Sequence, residues 1–442
     1  GNFLLRPEKF GGIALHLPSK RRLDLNHSAF FMLGLRLDPD CLDPIAALSE
    51  RYPEVKPAKL EHDYQNLLQS VEPWLDGEDF NPDKINCLPD IPHEPLSAPQ
   101  EVFWEVTWRC NLKCLYCYND SGKSEHEELS PAECREMIDQ WGELGVFKAI
   151  VGGGEPFLRK DIIDILEMLE DKGIIPIVVS NGSIIDQPIA QQLKTLKTLR
   201  LSISLEGATA EINDQVRIGD RSFDRALDGM AELRKAGVSF SLQSVLTQVN
   251  LDTITELPRL AWDLGANSFS LRRLLPFGRA KQHNLAVDIP QTKQVVEHLK
   301  NLRQEFPEGY LSFPGLVPMN HAQDSPYCQC NISPDRPLSC GPGFINCGLT
   351  PDGHMIPCSY LNSGDWVGPS VREQTFGDIW RQGAFIQPMR DLCLNMLPKL
   401  CQTCSHMENE CRGGCRASAF QVFGDWLAMD PECPYLHQAQ AS

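Results

Sequence analysis

The sequence at residues 110 to 117 is Cys110-Asn111-Leu112-Lys113-Cys114-Leu115-Tyr116-Cys117. Its cysteines are separated by three and then two residues, so one short loop presents three thiolates. Three thiolates can hold three irons of a cubane iron-sulfur cluster and leave the fourth iron without a protein ligand, whereas a cluster closed by four cysteines only passes electrons. On spacing alone, an incomplete zinc site or a redox pair beside an uninvolved cysteine is the less favoured alternative.

The chain on either side of this loop alternates predicted strands and helices. The predicted strands cover residues 102–106, 149–151, 176–179, 199–203, 240–246 and 268–274. Predicted helices cover residues 130–144, 161–172, 189–196, 223–236 and 253–264, and Ser130 with Glu133 forms a capping box at the first of them. This alternation predicts a parallel sheet with functional residues at the carboxyl ends of its strands.

Polar or glycine-rich residues do follow those strand ends. Gly152-Gly153-Gly154-Glu155-Pro156 follows the second predicted strand, and Ser180 and Asn181 end the third. Ser202, Ser204 and Glu206 alternate along the fourth strand, so they point to one face. Arg217 comes later, and Arg272 and Arg279 flank the end of the sixth strand.

Together these motifs resemble the radical S-adenosylmethionine (SAM) enzymes, which carry CxxxCxxC with an aromatic residue before the last cysteine, and a GGEP turn. The resemblance implies an α/β fold with a partial (β/α)6 TIM-like barrel over residues 100–306. It further implies that Cys110, Cys114 and Cys117 are the catalytic residues and bind a 4Fe-4S cluster. That cluster would chelate SAM and cleave it to a 5'-deoxyadenosyl radical.

The same resemblance assigns a cofactor-binding set. The glycine turn would support the SAM amino group, Ser204 and Glu206 would reach the ribose, and Arg217 would pair with the carboxylate. The family usually has aspartate at position 206, so glutamate is a departure. Arg279 could equally lie on the surface. The full predicted set is Tyr116, Gly153, Gly154, Glu155, Ser180, Asn181, Ser204, Glu206, Arg217 and Arg272.

Clustered cysteines also mark residues 340–442. Cys401-x2-Cys404-x6-Cys411-x3-Cys415 is dense enough to indicate a metal site. With Cys340, Gly353 and Cys358, this pattern resembles the SPASM domain, although the family has five residues where this chain has six. The resemblance implies two auxiliary 4Fe-4S clusters, one on Cys340, Cys347, Cys358 and Cys415 and one on Cys401, Cys404, Cys411 and Cys433. If Cys347 instead packs as a buried strand residue, the first cluster keeps an open iron. Two zinc ions are the competing interpretation.

Residues 1–75 read as a separate unit of three short strands followed by three helices. This layout predicts a winged-helix-like module and resembles the peptide-recognition domains of ribosomal-peptide maturation systems, which bind a leader peptide as an added strand. A structural or DNA-binding winged helix is the alternative. Residues 76–99 are rich in proline and predict an extended linker.

Composition narrows the function further. The net charge of −18 opposes binding to nucleic acid. No apolar run is long enough to cross a membrane, and no secretory signal begins the sequence. Seventeen unevenly clustered cysteines favour metal ligation in a reducing compartment, which predicts a cytoplasmic protein.

We therefore expect a radical SAM maturase of a ribosomally made precursor peptide that forms an oxidative carbon-carbon or thioether crosslink. Its cofactors would be SAM and three 4Fe-4S clusters, and its electron donor a flavodoxin or ferredoxin. One alternative is an oxidase of a partner protein of the sulfatase-maturase type, and the other is a non-catalytic iron-sulfur or zinc scaffold that binds peptides. No role is assigned to Cys328 and Cys330 in the bridge over residues 307–339.

Overall fold

The computed structural model describes most of the chain and divides it into two compact units, Gly1–Ala98 and Pro99–Ser442. The described residues are 3–16, 22–75, 94–122, 127–316, 338, 341–405, 407, 411, 413–433, 435 and 436. Three cysteines of the sequence prediction, Cys328, Cys330 and Cys340, lie outside these ranges, as does most of the predicted linker.

In the first unit, three antiparallel strands precede three helices. The strands are β1 (Phe3–Glu8), β2 (Gly11–His16) and β3 (Arg22–Asn26), with β2 in the centre. The helices are α1 (His27–Leu37), α2 (Pro44–Arg51) and α3 (Pro57–Leu75). Asn26 caps α1, because its side chain accepts from the Ala29 amide at 2.9 Å. The predicted order of strands and helices is therefore observed.

The last residues of the predicted linker pack on this first unit. The Glu8 carboxylate accepts hydrogen bonds from the Ser97 amide at 2.8 Å and the Ser97 hydroxyl at 3.1 Å. Arg6 pairs with Glu8 at 2.8 Å, and both side chains are buried. Residues 94–98 thus belong to the first unit, although the sequence placed them in the linker.

The second unit is built on a parallel sheet with helices between its strands, as predicted. Its first six strands are β4 (Glu101–Thr107), β5 (Lys148–Gly153), β6 (Ile175–Ser180), β7 (Arg200–Ser204), β8 (Phe240–Leu246) and β9 (Phe269–Arg273). The helices are α4 (Pro131–Leu144), α5 (Ile162–Asp171), α6 (Gln187–Leu193), α7 (Ala210–Val216), α8 (Ser222–Ala236), α9 (Leu257–Asp263) and α10 (Ile289–Leu302). The predicted helix at 253–264 is divided into a 3-10 turn and α9, and Pro258 occupies the first turn of α9.

Three short strands extend this sheet beyond the prediction. They are β10 (Leu311–Ser312), β11 (Asn346–Leu349) and β12 (Met355–Ile356), and the sheet order is β10-β9-β8-β7-β6-β5-β4-β11-β12. Strand β11 runs parallel to β4, so the cysteine-rich region continues the barrel sheet. Strands of two to four residues are too short to give a periodic signal in the sequence.

The cysteine-rich region adds short helices, and the first of them packs on α4. They are α11 (Phe376–Gln382), α12 (Gln387–Asp391), α13 (Lys399–Gln402) and α14 (Arg416–Phe423). The Trp141 ring packs edge-on against Trp104 and against Phe376, each with ring centres 5.4 Å apart. These contacts join β4, α4 and α11 in one core. None of the described helices has the length and apolar character that crossing a membrane requires.

Candidate active site

The predicted catalytic cysteines lie on the loop that leaves β4. Backbone hydrogen bonds from Lys113 to Ile218 and from Leu115 to Val216, both 2.8 Å, pair this loop with the end of α7. The pKa of the Cys110 thiol is raised to about 11, chiefly by burial and in smaller part by the nearby Cys114 and Cys117 sulfurs. The three thiols are thus close enough to interact electrostatically with one another.

The glycine turn after β5 packs directly against the backbone of that loop. The Gly154 amide donates to the Thr107 carbonyl and the Glu155 amide to the Arg109 carbonyl, both at 2.8 Å. A Cβ atom at Gly154 would lie 2.1 Å from the Arg109 oxygen, so only glycine fits. Gly153 ends β5 immediately before it.

Glu155 joins the ends of two strands. Its fully buried carboxylate accepts hydrogen bonds from the Ser180 hydroxyl and the Asn181 amide, both at 2.8 Å, and from the Phe157 amide at 3.2 Å. The Asn181 side chain then donates to Asn111 of the cysteine loop at 2.9 Å. Glu155, Ser180 and Asn181 therefore bond to one another and hold the cysteine loop in place.

Tyr116 and Glu206 form a second buried link. The tyrosine hydroxyl donates to Glu206 at 2.6 Å, and the other carboxylate oxygen accepts from the Ser244 hydroxyl at 2.9 Å and the Val245 amide at 2.7 Å. Both oxygens of Glu206 are thus engaged within the protein, which differs from the expected contact with a ribose. Ser204 is half-buried, and its hydroxyl accepts from Gln243 at 3.2 Å.

Two arginines lie near this group. Arg217 donates from Nη1 to the Ser204 carbonyl, while its buried Nε has no hydrogen-bond partner among the described residues. A buried donor of this kind suits an anionic ligand. Arg272, on β9, stays exposed to solvent, although the protein around it lowers the pKa of its guanidinium through desolvation.

The four thiols assigned to the second auxiliary cluster lie together. Burial raises the pKa of Cys401 to about 11, and the charges of Cys411, Cys433 and Cys404 act on the same thiol. In the described part of the chain, however, no three cysteine, histidine or carboxylate side chains are arranged at metal-ligand distances.

Of the thiols assigned to the first auxiliary cluster, Cys358 and Cys415 pack in one cluster with Tyr360. The Asp430 carboxylate fixes the turn at Cys415, because it accepts a hydrogen bond from the Cys415 amide at 2.7 Å.

Cys347 lies elsewhere, contrary to its assignment as a ligand. It is fully buried in β11, where it pairs with Val102 of β4 and belongs to the barrel core with Phe376 and Trp380. Its neighbour in the strand, Gly348, is on the opposite face of the sheet. The structure therefore favours the alternative in which Cys347 is a packed strand residue.

Sequence reasoning missed two residues at this site. The sequence was equally consistent with Arg279 on the surface, but its Nε donates a hydrogen bond to the Cys114 carbonyl of the cysteine loop. Glu105, at the end of β4, was not singled out; it is buried, and its carboxylate accepts from the Tyr118 hydroxyl at 3.0 Å. A charged residue inside an otherwise apolar strand was the available signal.

Comparison with known proteins agrees with this geometry. The sequence matches the Radical SAM superfamily over residues 104–261 and the SPASM iron-sulfur cluster-binding domain over residues 340–405. The mycofactocin maturase MftC of Mycobacterium tuberculosis is 31% identical over 352 residues, covering 78% of this chain and 85% of that protein. The AdoMet-dependent heme synthase of Methanosarcina barkeri is 29% identical over 349 residues, covering 77% and 97%.

A solved structure matches nearly the whole chain. Streptococcus suis SuiB bound to its precursor peptide SuiA superposes with a TM-score of 0.73 at 17% identity, covering 98% of each chain. At this identity the match shows the fold alone. The fold and the cysteine loop define an iron-sulfur enzyme of the radical type. The chain belongs to the Radical SAM superfamily and carries a SPASM domain.

Enzymes of this superfamily use SAM and a 4Fe-4S cluster, and SPASM domains bind auxiliary iron-sulfur clusters. The residues present fit these groups. Three thiols share one loop, Gly154 leaves no room for a side chain beside that loop, and the Arg217 Nε lacks a partner among the described residues.

Proposed function

We propose that this enzyme matures a ribosomally made precursor peptide by forming an oxidative carbon-carbon or thioether crosslink. The observation that carries the proposal is the unit of three strands and three helices that precedes the barrel. A barrel that acts alone on a small molecule has no need of such a unit. The names of MftC, a maturase, and of SuiB bound to a precursor peptide support the same substrate class.

The leader peptide would bind the first unit as an added strand. Among the described strands, β3 has β2 as its neighbour, so its other side is an edge of the three-stranded sheet. Leu23 and Leu25 of β3 are buried in the core beneath it, which keeps the strand in a fixed register. An extended peptide gains affinity from main-chain hydrogen bonds at such an edge and specificity from side-chain pockets.

In the second unit, Cys110, Cys114 and Cys117 would hold the SAM-binding cluster. Arg217 would bind the SAM carboxylate through its Nε, which has no hydrogen-bond partner in the described part of the chain. When bound, the cluster and SAM supply the 5'-deoxyadenosyl radical that abstracts a hydrogen atom. The chain itself positions the cofactor and excludes water. Glu155 and Glu206 would act by fixing the loops around SAM, since their oxygens already bond to protein donors.

The auxiliary clusters would accept the electron that an oxidative crosslink releases. Cys401, Cys404, Cys411 and Cys433 would bind one of them, and Cys340, Cys358 and Cys415 the other. A flavodoxin or ferredoxin would reduce the SAM-binding cluster. Thiol ligands of this number need a reducing compartment such as the cytoplasm.

The heme synthase relative suggests a second candidate function, a reaction on a small molecule. The alignment covers 97% of that relative. A small-molecule reaction of that kind would not require the first unit. The sulfatase-maturase type of oxidation would not require it either, and a non-catalytic scaffold would fail to cleave SAM at all.

Co-expression with the small open reading frame beside its gene tests the proposal. The mass of the encoded peptide should fall by two hydrogens. A chain lacking residues 1–98 should still cleave SAM but should leave the peptide unmodified. Full modification without those residues would contradict the proposal and favour the alternatives.

A further inference from the structure

Alternate residues of the barrel strands share the inner face of the sheet. Along β8 the side chains alternate between buried and half-buried, so the half-buried ones face inward. The same alternation runs along β7, and in β4 it holds over residues 101–104, beyond which every residue of the strand is buried. The inward-facing residues near the carboxyl ends are Phe103, Glu105, Ile150, Val179, Ser202, Ser204, Gln243 and Arg272. Glu105 is the one carboxyl group in this set.

Glu105 differs from the two other buried carboxyl groups near the cysteine loop. Glu155 and Glu206 each accept three hydrogen bonds from protein donors. The carboxyl group of Glu105 has one such bond, from Tyr118 at 3.0 Å, with the Asn119 amide beside it. Burial accordingly raises the pKa of Glu105 to about 7, against the effect of those two neighbours. A carboxyl group in this state can take up or release a proton near neutral pH.

Its position is next to the predicted reaction centre. Glu105 pairs in register with Gly152 of the glycine turn, and its Cα would lie 3.2 Å from a Cβ at Gly153. Tyr118, which holds the carboxyl group, follows the last catalytic cysteine and packs edge-on against Tyr360 with ring centres 5.2 Å apart. Arg272 interacts with Tyr360 from β9. Glu101 and Lys148 lie at the far end of β4 and β5.

We propose that Glu105 is the proton acceptor for the oxidative step, an inference that rests on the proposed function. Crosslinking removes two hydrogens from the peptide. One leaves as a hydrogen atom to the deoxyadenosyl radical. Once the new bond has formed, the second hydrogen would leave as a proton to the Glu105 carboxylate, and its electron would go to an auxiliary iron-sulfur cluster held by the C-terminal cysteines. Glu105 ends the step as the neutral carboxylic acid. The two hydrogens that the peptide loses are thus one hydrogen atom and one proton with its electron.

The test compares Glu105→Gln with wild type in the reconstituted full chain, with the peptide from the co-expression experiment as substrate. Crosslinked product should form about 100-fold more slowly. This factor is the lower end of the range by which general base catalysis accelerates reactions. Release of 5'-deoxyadenosine should stay near the wild-type rate, because that step needs no base. Glu105→Asp should restore part of the product, and Glu101→Gln, a change on the same strand, should behave as wild type.

The pH profile separates a chemical role from a structural one. In wild type, product formation should decline as pH falls below about 7, where Glu105 becomes protonated, while release of 5'-deoxyadenosine should not. If Glu105→Gln forms product at the wild-type rate with the same pH profile, the inference is overturned and the proposed function stands. A wild-type chain that makes no crosslinked product overturns both.

A measurement without cofactors adds an independent readout. Burial also raises the pKa of Glu101, Glu155 and Glu432, so the infrared titration is read as the difference between wild type and each variant before reconstitution. The difference for Glu105→Gln should show a carboxyl group that protonates near pH 7. Glu105→Gln should remove that signal and Glu101→Gln should keep it. Identical titrations of wild type and Glu105→Gln would contradict the assignment.

Discussion

Arg279 donates from Nε to the carbonyl oxygen of Cys114 at 2.8 Å, so the turn after β9 holds the cysteine loop that leaves β4. Its Nη1 also pairs with Asp120 at 2.5 Å and bonds to the Ser121 carbonyl at 2.9 Å. The preceding glycine, Gly278, has φ of 49°, and a Cβ there would lie 2.4 Å from the Cys117 oxygen. Two distant segments of the chain are thus fixed to each other around the predicted cluster.

Replacing Arg279 with alanine should loosen this loop. Hydrogen bonds of a charged group contribute about 1.5–3 kcal/mol each when they are removed from a partly buried site. We expect a lower melting temperature and less iron retained after reconstitution. Arg279→Lys is the matched control, because it keeps the charge but loses the planar fork, and it should retain an intermediate amount of iron. Equal iron in all three proteins would show that the anchor is unimportant.

Cys347 and Cys358 should respond differently to substitution. Cys358→Ser should lose iron, whereas Cys347→Ala should keep the wild-type iron content because its thiol lies in the barrel core. Cys347→Ser should lower the free energy of unfolding by about 1–3 kcal/mol, the effect of burying a hydroxyl group without a partner. Iron analysis and chemical denaturation measure these effects. Loss of iron from Cys347→Ala would restore it as a ligand.

Gly154→Ala should abolish SAM binding in the reconstituted enzyme. The added methyl group would lie 2.1 Å from a backbone oxygen, which cannot move without displacing the cysteine loop. Isothermal titration with SAM measures the loss. Gly34→Ala is the control, since nothing lies within 4 Å of a Cβ at that helical position. It should leave SAM binding unchanged and stabilise α1 by about 0.5–1 kcal/mol.

The contact between α4 and the cysteine-rich region should depend on pH. Arg372 bonds to Glu133 at 2.6 Å, and this bond lowers the pKa of Glu133 from 4.5 to about 2. A lowered pKa means that the contribution to stability is complete above pH 4.5 and is lost as pH falls toward 2. At neutral pH the melting temperature of wild type should be higher than that of Glu133→Gln. The difference between the two melting temperatures should vanish near pH 2. A difference that is constant with pH would contradict this ion pair.

Much of the barrel could be read from the sequence. Its strands are apolar runs bounded by glycine and polar residues, and its first helix carries a capping box that the structure contains. The cysteine spacing predicted the loop after β4, since the motif is local. The order of strands and helices in the first unit was also predictable from local signals.

Contacts between distant segments were not predictable in the same way. The hydrogen bond from Arg279 to Cys114 joins residues that are 165 positions apart, and no local sequence pattern predicts it. The resemblance to the SPASM domain made Cys347 a candidate ligand and left open that it packs as a strand residue, and only the pairing of β11 with β4 shows that it lies in the core. Likewise, Glu206 was expected to reach the cofactor, yet Tyr116, Ser244 and Val245 converge on it only in the folded chain.

The pairing of β11 with β4 has a practical consequence for anyone who shortens this protein. Cutting the chain after the barrel would strip a neighbour from β4 and leave its backbone groups along Glu101–Thr107 open to other molecules. Such a fragment should precipitate or assemble edge to edge, so the radical-generating half cannot be prepared by simple truncation.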